Sequence, residues 1–389
     1  MKKITSMLIF CVLLVLIIVF SLSGCKEVVE ETTIEETTAM ETEAPETTVA
    51  ETTAEPQVIK VAFSSPYAGL PFFQDIETGM KSAIPQIEEK ANVKIEFVVA
   101  DAKGSAETMI KDIETFITEG VDVIYFVNLS TPLSLQLIGE AQEAGILVGL
   151  GGTTAGIEDI HFGLLDYQGA FDTAQMVGSW VKENLNSKNI AGKLLLCGST
   201  LTETMRARND GVYAGLTASG AEFEKVVQLD PTGTTLDATL PIVVDALTAN
   251  PEINMFIATN DPMALACLEA AKQANLNPEE YVVSGYGLES STVPIMLEEG
   301  SAFRFDYTVF PFFAGNFTMH GLVASVLGII EKNPDGTPYS VILPGAAIDV
   351  ELFSKYYTEE DGKWIENIDV LRSELEKDPY AAKILQFQN

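Results

Sequence analysis

The sequence predicts an α/β protein of two lobes, each with a parallel β-sheet covered on both faces by helices. Short apolar runs alternate with helical segments from residue 58 to residue 299, as is typical of buried parallel strands. The alternation restarts near residue 169, and 389 residues are enough for two domains of ordinary size. We therefore expect two lobes of similar construction.

The first lobe is predicted from four apolar strands with a helix between each pair. Ser105 is expected to cap a helix that Gly120 ends, and Pro85 is expected to kink or break the helix before it. The strands are predicted at 58–63, 93–99, 123–127 and 146–150, and the helices at 72–90, 105–120 and 132–144.

The second lobe repeats this rhythm. Its strands are predicted at 193–197, 223–229, 254–258 and 281–284, and its helices at 169–184, 206–219, 235–249, 262–274 and 290–299. Candidate crossovers between the lobes are 161–165, 302–307 and 341–349, and a helix at 311–331 is expected to cover the first lobe. The predicted division is 58–160 with 305–335 for the first lobe, 161–304 with 336–350 for the second, and 351–389 as a C-terminal extension.

The first 57 residues predict an export signal and a spacer. Two lysines and an apolar run precede Leu22-Ser23-Gly24-Cys25, a pattern typical of a signal peptide over residues 1–24. The alternative, a transmembrane anchor, would be near the lower length limit and would lack a basic flank. Residues 26–56 contain ten Glu, nine Thr and no aromatic residue, so 25–57 is predicted to be a disordered tether.

Composition excludes several classes of function. A net charge of −33 disfavours nucleic acid as a partner, because phosphates carry the same sign. Two histidines and four cysteines without a CxxC pair argue against a metal site or a disulfide framework, and we expect no cofactor. The glycines at 149–156 follow the fourth strand, not the first, and Ser199 lacks a GxSxG elbow. An enzyme is therefore not predicted.

Two segments place an asparagine at corresponding positions of the two lobes. Asn128 and Asn260 each end an apolar strand, and each is followed by a proline near the start of a helix. Carboxyl ends of parallel strands line the ligand crevice of open sheets, so these residues are expected on opposite walls of one cleft. The alternative is that both asparagines only cap helices.

Three motifs resemble the periplasmic sugar-binding proteins of ABC transporters, in the ribose- and galactose-binding branch. They are Pro71-Phe72-Phe73, Arg206-Ala-Arg208-Asn-Asp-Gly211 and Thr259-Asn260-Asp261-Pro-Met-Ala-Leu265, and the resemblance covers roughly residues 58–350. It implies the type I periplasmic binding fold, with two Rossmann-like lobes joined by crossover hinge strands and a ligand held between them. The segment before Cys25 likewise resembles the bacterial lipobox, in which the cysteine becomes the lipid anchor.

The resemblance implies a role for each matched residue. Arg206 is expected to donate to ligand hydroxyls, with Arg208 at the surface or ion-paired, and Asp261 serves either the ligand or the helix start. The two phenylalanines would lie on the apolar faces of a sugar ring, although one of them is expected to be core. The implied ligand-binding residues are Phe72, Phe73, Asn128, Arg206 and Asn260.

Several positions depart from the family pattern. Gly151-Gly152 stands where the family has Asp-Arg, Gly285-Tyr286-Gly287 replaces a segment with an Asp, and Leu70 replaces an Asn. Without these carboxylates and the arginine, the site lacks charge-assisted hydrogen bonds to vicinal hydroxyls. Ribose or galactose itself is therefore not expected. Tyr286 joins the predicted ligand-binding residues. A deoxy sugar, a polyol, a glycosylated aromatic and a non-sugar molecule remain alternatives.

The function expected from these features is that of an extracytoplasmic solute-binding lipoprotein. It would capture a small neutral ligand, a sugar or sugar-like molecule, between its two lobes as a monomer. It would deliver this ligand to an ABC permease and remain attached to the membrane through lipidated Cys25. The alternative is a ligand sensor of the same fold that signals to a sensor kinase or chemoreceptor. Neighbouring genes for a permease and an ATPase would favour transport.

Overall fold

The computed structural model describes residues 56–388. The predicted signal peptide, the predicted lipid anchor Cys25 and the predicted tether up to residue 55 lie outside the described residues. Among residues 56–388 no helix is both long and apolar enough to cross a membrane. These residues belong to one compact unit.

The first part of the described chain alternates strands with helices. Ser105 caps α2 by accepting a hydrogen bond from the Thr108 backbone N–H, and Gly120 ends that helix in the left-handed conformation, as predicted. The elements are β1 (Gln57–Ser65), α1 (Pro71–Ala91), β2 (Val93–Asp101), α2 (Ala106–Glu119), β3 (Val123–Val127), α3 (Thr131–Glu143), β4 (Leu147–Gly151) and β5 (Ile160–Gly163).

The second lobe follows, and the chain then returns to the first. The second set comprises α4 (Asp166–Asn184), β6 (Gly192–Cys197), α5 (Glu203–Ser219), β7 (Phe223–Leu229), α6 (Leu236–Ala249), β8 (Met255–Ala258), α7 (Asp261–Gln273), β9 (Val282–Ser284), α8 (Val293–Met296) and β10 (Phe303–Thr308). After it come α9 (Pro311–Val326), β11 (Tyr339–Ile342) and β12 (Ala346–Ile348).

The two sheets have corresponding strand orders. The first is β11-β5-β4-β3-β1-β2 and the second is β12-β10-β9-β8-β6-β7. All neighbours pair in parallel except β12, which runs antiparallel to β10. The predicted fold class, two α/β lobes with parallel sheets and crossover connections, is confirmed.

Three crossovers join the lobes at one end of the sheets. The chain passes from β5 to α4, from β10 to α9, and from β11 to β12. The predicted division assigns 336–350 to the second lobe, whereas Tyr339–Ile342 pairs with β5 in the first sheet. This part of the division is corrected, because the strand after α9 extends the parallel sheet that α9 covers.

Some helix boundaries differ from those predicted. Helix α1 continues through Pro85, α8 is reduced to four residues, and α9 ends at Val326 rather than near residue 331. Helix α5 begins at Glu203, three residues earlier than predicted, where Thr202 accepts a hydrogen bond from the Met205 backbone N–H. The earlier start lengthens α5 towards the gap between the lobes.

Residues beyond β12 form an extension that docks on the body. It contains α10 (Val350–Tyr356), a hairpin of β13 (Tyr357–Glu360) and β14 (Lys363–Glu366), α11 (Ile368–Leu375) and α12 (Pro379–Gln388). Phe353, Leu371 and Ile384 are buried in the main core. Glu366 accepts hydrogen bonds from the Phe312 and Phe313 backbone N–H groups at the start of α9. The extension therefore supports the helix that follows the second crossover.

Candidate functional site

A cavity of about 160 Å³ lies between the two lobes, at the carboxyl ends of the parallel strands. A protein cavity of roughly 150 Å³ holds a benzene ring, so this one suits a ligand of about one ring. Its first wall follows β1, β3 and β4, and its second wall follows β6, β8 and β9. This is the crevice that open parallel sheets use for ligands.

The first-lobe wall is largely aromatic. Phe72 and Phe73 are half-buried at the start of α1, and their rings meet edge to face with centroids 5.1 Å apart. Deeper in the cavity the rings of Tyr125 and Phe162 also meet edge to face, 6.0 Å apart. All four side chains line the cavity. The wall offers flat apolar surfaces of the kind that cover the C–H face of a ring.

Tyr125 occupies space that a side chain at position 151 would need. A Cβ atom on Gly151 would lie 2.4 Å from the Tyr125 Oη. Burial raises the pKa of the Tyr125 phenol well above its usual value, so the hydroxyl stays protonated. The neutral phenol therefore occupies space that a side chain at position 151 would otherwise fill, which makes this wall less polar.

The second-lobe wall carries a buried arginine. Arg208 on α5 donates through Nε to Asp166 Oδ1 at 2.9 Å and through Nη1 to the Thr259 backbone carbonyl at 2.9 Å. Its guanidinium carbon lies 3.7 Å from the ring centroid of Tyr286, within cation–π distance. Arg208 and Tyr286 line the cavity, so charge and aromatic surface meet there. Among residues 56–388, no acceptor contacts the Arg208 Nη2.

Asp261 is a structural residue behind this wall. It is fully buried and accepts hydrogen bonds from the Tyr286 and Glu289 backbone N–H groups and from the Thr292 hydroxyl, at 2.7–3.0 Å. Burial and the Asp261 charge raise the pKa of Asp306 well above its usual range. The pair fixes the loop that presents Tyr286 to the cavity.

Asn128 and Asn260 lie on opposite walls of the cavity, where the sequence places them. Each is also engaged within its own lobe. Asn128 Nδ2 donates to the Thr153 carbonyl at 2.7 Å, and its Oδ1 accepts from Ser134. Asn260 Oδ1 accepts from the Met263 backbone N–H at 2.9 Å and so caps α7. Capping and lining therefore coexist at Asn260.

Arg206 is the one predicted ligand-binding residue in the described chain that does not line the cavity. Its side chain is exposed, and its Nη1 donates to the Thr200 carbonyl at 2.6 Å. Residues two apart on a helix point in nearly opposite directions, so only one of Arg206 and Arg208 can face the ligand. Val212, one turn after Arg208, is buried, and this spacing is the sequence signal that identifies Arg208.

Glu289 is a cavity residue that no sequence motif indicated. Only 4% of its surface is exposed, yet it lines the cavity at the edge of the second-lobe wall. Its side chain receives one hydrogen bond, a long one of 3.5 Å from Ser291 Oγ. Burial, together with the charges of Asp261 and Asp75, raises the pKa of Glu289 to about 8.

The lobes contact each other on both sides of the cavity. Ser290 donates from its backbone N–H and its hydroxyl to the two oxygens of Asp75 on α1, at 3.2 and 3.1 Å. On the other side, the Thr131 hydroxyl donates to Glu203 at 3.2 Å. These bonds join residues of different lobes, so the structure represents a closed arrangement.

The family model for the periplasmic binding protein domain matches residues 61–308. The match covers more than half of the chain, both lobes and nearly all of the cavity lining. The chain belongs to the periplasmic binding protein family. The resemblance predicted from the sequence is confirmed at this level, and membership implies an extracytoplasmic location. No curated protein matches the sequence.

Solved structures of ABC transporter solute-binding proteins share the fold of this periplasmic binding protein. One from Bacillus halodurans with bound myo-inositol has a TM-score of 0.64 at 17% identity, over 78% of this chain and 99% of that chain. A 5-methylthioribose transporter protein from Thermotoga lettingae has a TM-score of 0.66 at 16% identity, over 86% and 98%. One from Burkholderia graminis with D-arabinose has a TM-score of 0.65 at 17% identity, over 78% and 99%.

Proposed function

We propose that this protein is a solute-binding protein of an ABC transporter that captures a small sugar-like ligand between its lobes. It acts as a monomer and delivers the ligand to a membrane permease. The observation that carries the proposal is the cavity, which side chains of both lobes line at the carboxyl ends of the strands. A site of this kind binds its ligand fully only when the lobes are closed, so binding favours closure.

The proposed ligand contacts are divided between the walls. Phe72 and Phe73 cover the apolar faces of the ligand ring, and Asn128 meets its polar rim. Arg208 supplies the charged donor that the family resemblance assigns to Arg206, because it lines the cavity and its Nη2 has no acceptor among residues 56–388. The Tyr286 ring packs against the Arg208 guanidinium in a cation–π contact.

The chemical class of the ligand is supported by the fold neighbours and by the cavity. Neighbours with the same fold bind myo-inositol, 5-methylthioribose and D-arabinose, which are all compounds of about one ring. The cavity of about 160 Å³ fits that size. Its aromatic first wall favours a ligand with more apolar surface than an ordinary pentose. Catalysis plays no part in this function, which consists of capture and release.

A thermal-shift screen over monosaccharides, deoxy sugars, cyclitols and nucleosides tests the proposal. A ligand that binds the native state raises the melting temperature by an amount that grows with the logarithm of its concentration over Kd. Small-angle scattering with and without the best binder then measures closure. We expect a stabilising sugar-like compound and a smaller radius of gyration with it. A screen in which no sugar-like compound stabilises the protein would contradict the proposed ligand class.

We also propose that lipidated Cys25 holds the protein at the outer face of the membrane. The proposal is supported by the residues before Cys25 and by the Glu- and Thr-rich tether after it. Cys25→Ser should release the protein from the membrane fraction and leave ligand affinity unchanged, since acyl chains supply the anchoring free energy. Fractionation followed by immunoblotting measures this. A Cys25→Ser variant that stays in the membrane fraction would indicate an uncleaved transmembrane segment instead.

A further inference from the structure

The cavity contains one acidic side chain that has no cationic partner among residues 56–388. Glu289 Oε2 accepts a single hydrogen bond of 3.5 Å from Ser291. No donor in residues 56–388 reaches Glu289 Oε1, although the residue is 96% buried and lines the cavity. A carboxyl that is largely buried and accepts only one long hydrogen bond is costly, and such groups in native structures call for a partner that the fold does not supply.

No cation of the described chain balances this charge. Of the ion pairs formed within residues 56–388, none includes Glu289 or the carboxylates around it. The only guanidinium in the cavity lining, that of Arg208, is already paired with Asp166. The charged groups that face Glu289 are Asp261 behind it and Asp75 across the cleft, and both are acidic.

Closure of the lobes brings a second acidic side chain close to Glu289. Asp75 lies on α1 of the first lobe and reaches Ser290, the residue after Glu289. The closed arrangement therefore brings a carboxylate of each lobe to the same edge of the cavity. Like charges in a site of low polarity repel each other, so a cation is needed nearby when the carboxyl groups of Glu289 and Asp75 are both ionised. No group of three or more acidic, His or Cys side chains in residues 56–388 is placed to hold a metal ion.

We propose that Glu289 is the recognition residue for a positively charged nitrogen on the ligand, so that the ligand is a sugar-like or cyclitol-like amine. Its ammonium group donates to Glu289 and faces Asp75, while its ring lies against Phe72. This inference rests on the proposed function and refines it, because the sequence analysis predicts a neutral ligand.

The test uses three compounds on one frame: glucose, glucosamine and N-acetylglucosamine. N-acetylglucosamine keeps an N–H donor but carries no positive charge. It therefore separates recognition of charge from ordinary hydrogen bonding. The wild-type protein, Glu289→Gln and the exposed Glu299→Gln are titrated by calorimetry at pH 6.5 in two buffers of different ionisation enthalpy. Galactose, galactosamine and N-acetylgalactosamine form a second set.

We expect the amine of at least one set to bind wild type and Glu299→Gln about tenfold or more tightly than both neutral counterparts, as a charged hydrogen bond predicts. Glu289→Gln should lose that preference but retain its fold. Binding of the amine should also release a proton from Glu289 in wild type, and not in Glu289→Gln. No amine preference in either set, or a preference that survives in Glu289→Gln, would overturn the inference. Tight binding of neutral sugars without that preference would overturn the inference alone and leave the proposed function standing.

Discussion

The two walls of the cavity come from lobes with corresponding strand orders but carry different side chains. The first lobe presents Phe72, Phe73 and Phe162, whereas the second presents Arg208 and Glu289. The sheets position both walls in the same way, at the carboxyl ends of the strands. The sheets therefore determine where the ligand binds, and the side chains that follow the strands determine which ligand binds.

The walls also differ in how their side chains are stabilised. The aromatic rings of the first wall contact one another and the core beneath, so their burial is favourable in itself. The second wall buries charged groups, which need partners of opposite charge. Arg208 forms an ion pair with Asp166, whereas Glu289 has no ion-pair partner among the described residues. We expect the largest mutational effect on ligand binding in the second lobe.

The largest effect is expected for Arg208→Ala. The change leaves the buried Asp166 carboxylate unpaired and should lower the free energy of unfolding by about 3–5 kcal/mol. Ligand binding should fall below detection. Urea unfolding measures the first effect and calorimetry the second. Arg208→Lys keeps the charge and should remain folded, but should bind more weakly because it lacks the planar donor fork.

Arg206→Ala is the matched control, two residues earlier on the same helix. Its exposed side chain should contribute within about 0.5 kcal/mol to stability. Equal losses of ligand affinity in Arg206→Ala and Arg208→Ala would contradict the assignment of the charged donor to Arg208.

The contrast between these two arginines shows what the sequence could and could not predict. The rhythm of strands and helices predicted both sheets, and β3 has the predicted bounds. Which of the two arginines faces the cavity depends on which side of α5 packs against the lobe, and the buried Val212, one turn after Arg208, marks that side. The motif therefore indicated the right helix and not which of its arginines faces the cavity.

Other residues depend on contacts that are distant in sequence. Glu289 lies in the cavity because Asp261, 28 residues earlier, holds its backbone N–H. Tyr339–Ile342 joins the first sheet by pairing with β5, a strand that lies far earlier in the chain. Periodicity describes a segment and its own faces, so neither placement follows from the local pattern. Asn128 and Asn260 were predictable because each lies within two residues of the carboxyl end of a strand.

An intermediate effect is expected for Glu289→Gln in the absence of ligand. The pKa of Glu289, raised from its ordinary value to about 8, means that the folded state binds more protons between about pH 4.5 and 8. Stability contributed by this group therefore falls as pH rises through that window. Glutamine cannot ionise, so the variant should be more stable than wild type by about 1–3 kcal/mol above pH 8 and nearly equal to it below pH 4.5.

Urea unfolding of wild type and Glu289→Gln at pH 4.5, 7 and 9 measures this difference. Glu299→Gln, an exposed change in the same lobe, serves as the control and should show no pH-dependent gain. A Glu289→Gln variant less stable than wild type at pH 9 would mean that the carboxylate has a partner within the protein.

The smallest effect is expected in the first wall, for Phe72→Ala. Phe72 is half-buried at the mouth of the cavity, so its ring should contribute mainly to the ligand. We expect Kd to rise about tenfold, or about 1.4 kcal/mol, with little change in the melting temperature of the ligand-free protein. Phe162→Ala is the matched comparison, because that ring is 1% exposed and packs against Phe317. It should cost about 3–5 kcal/mol of stability. If Phe72→Ala lowers the melting temperature as much as Phe162→Ala and leaves Kd unchanged, Phe72 is a core residue, and the ligand stacks elsewhere on the first wall.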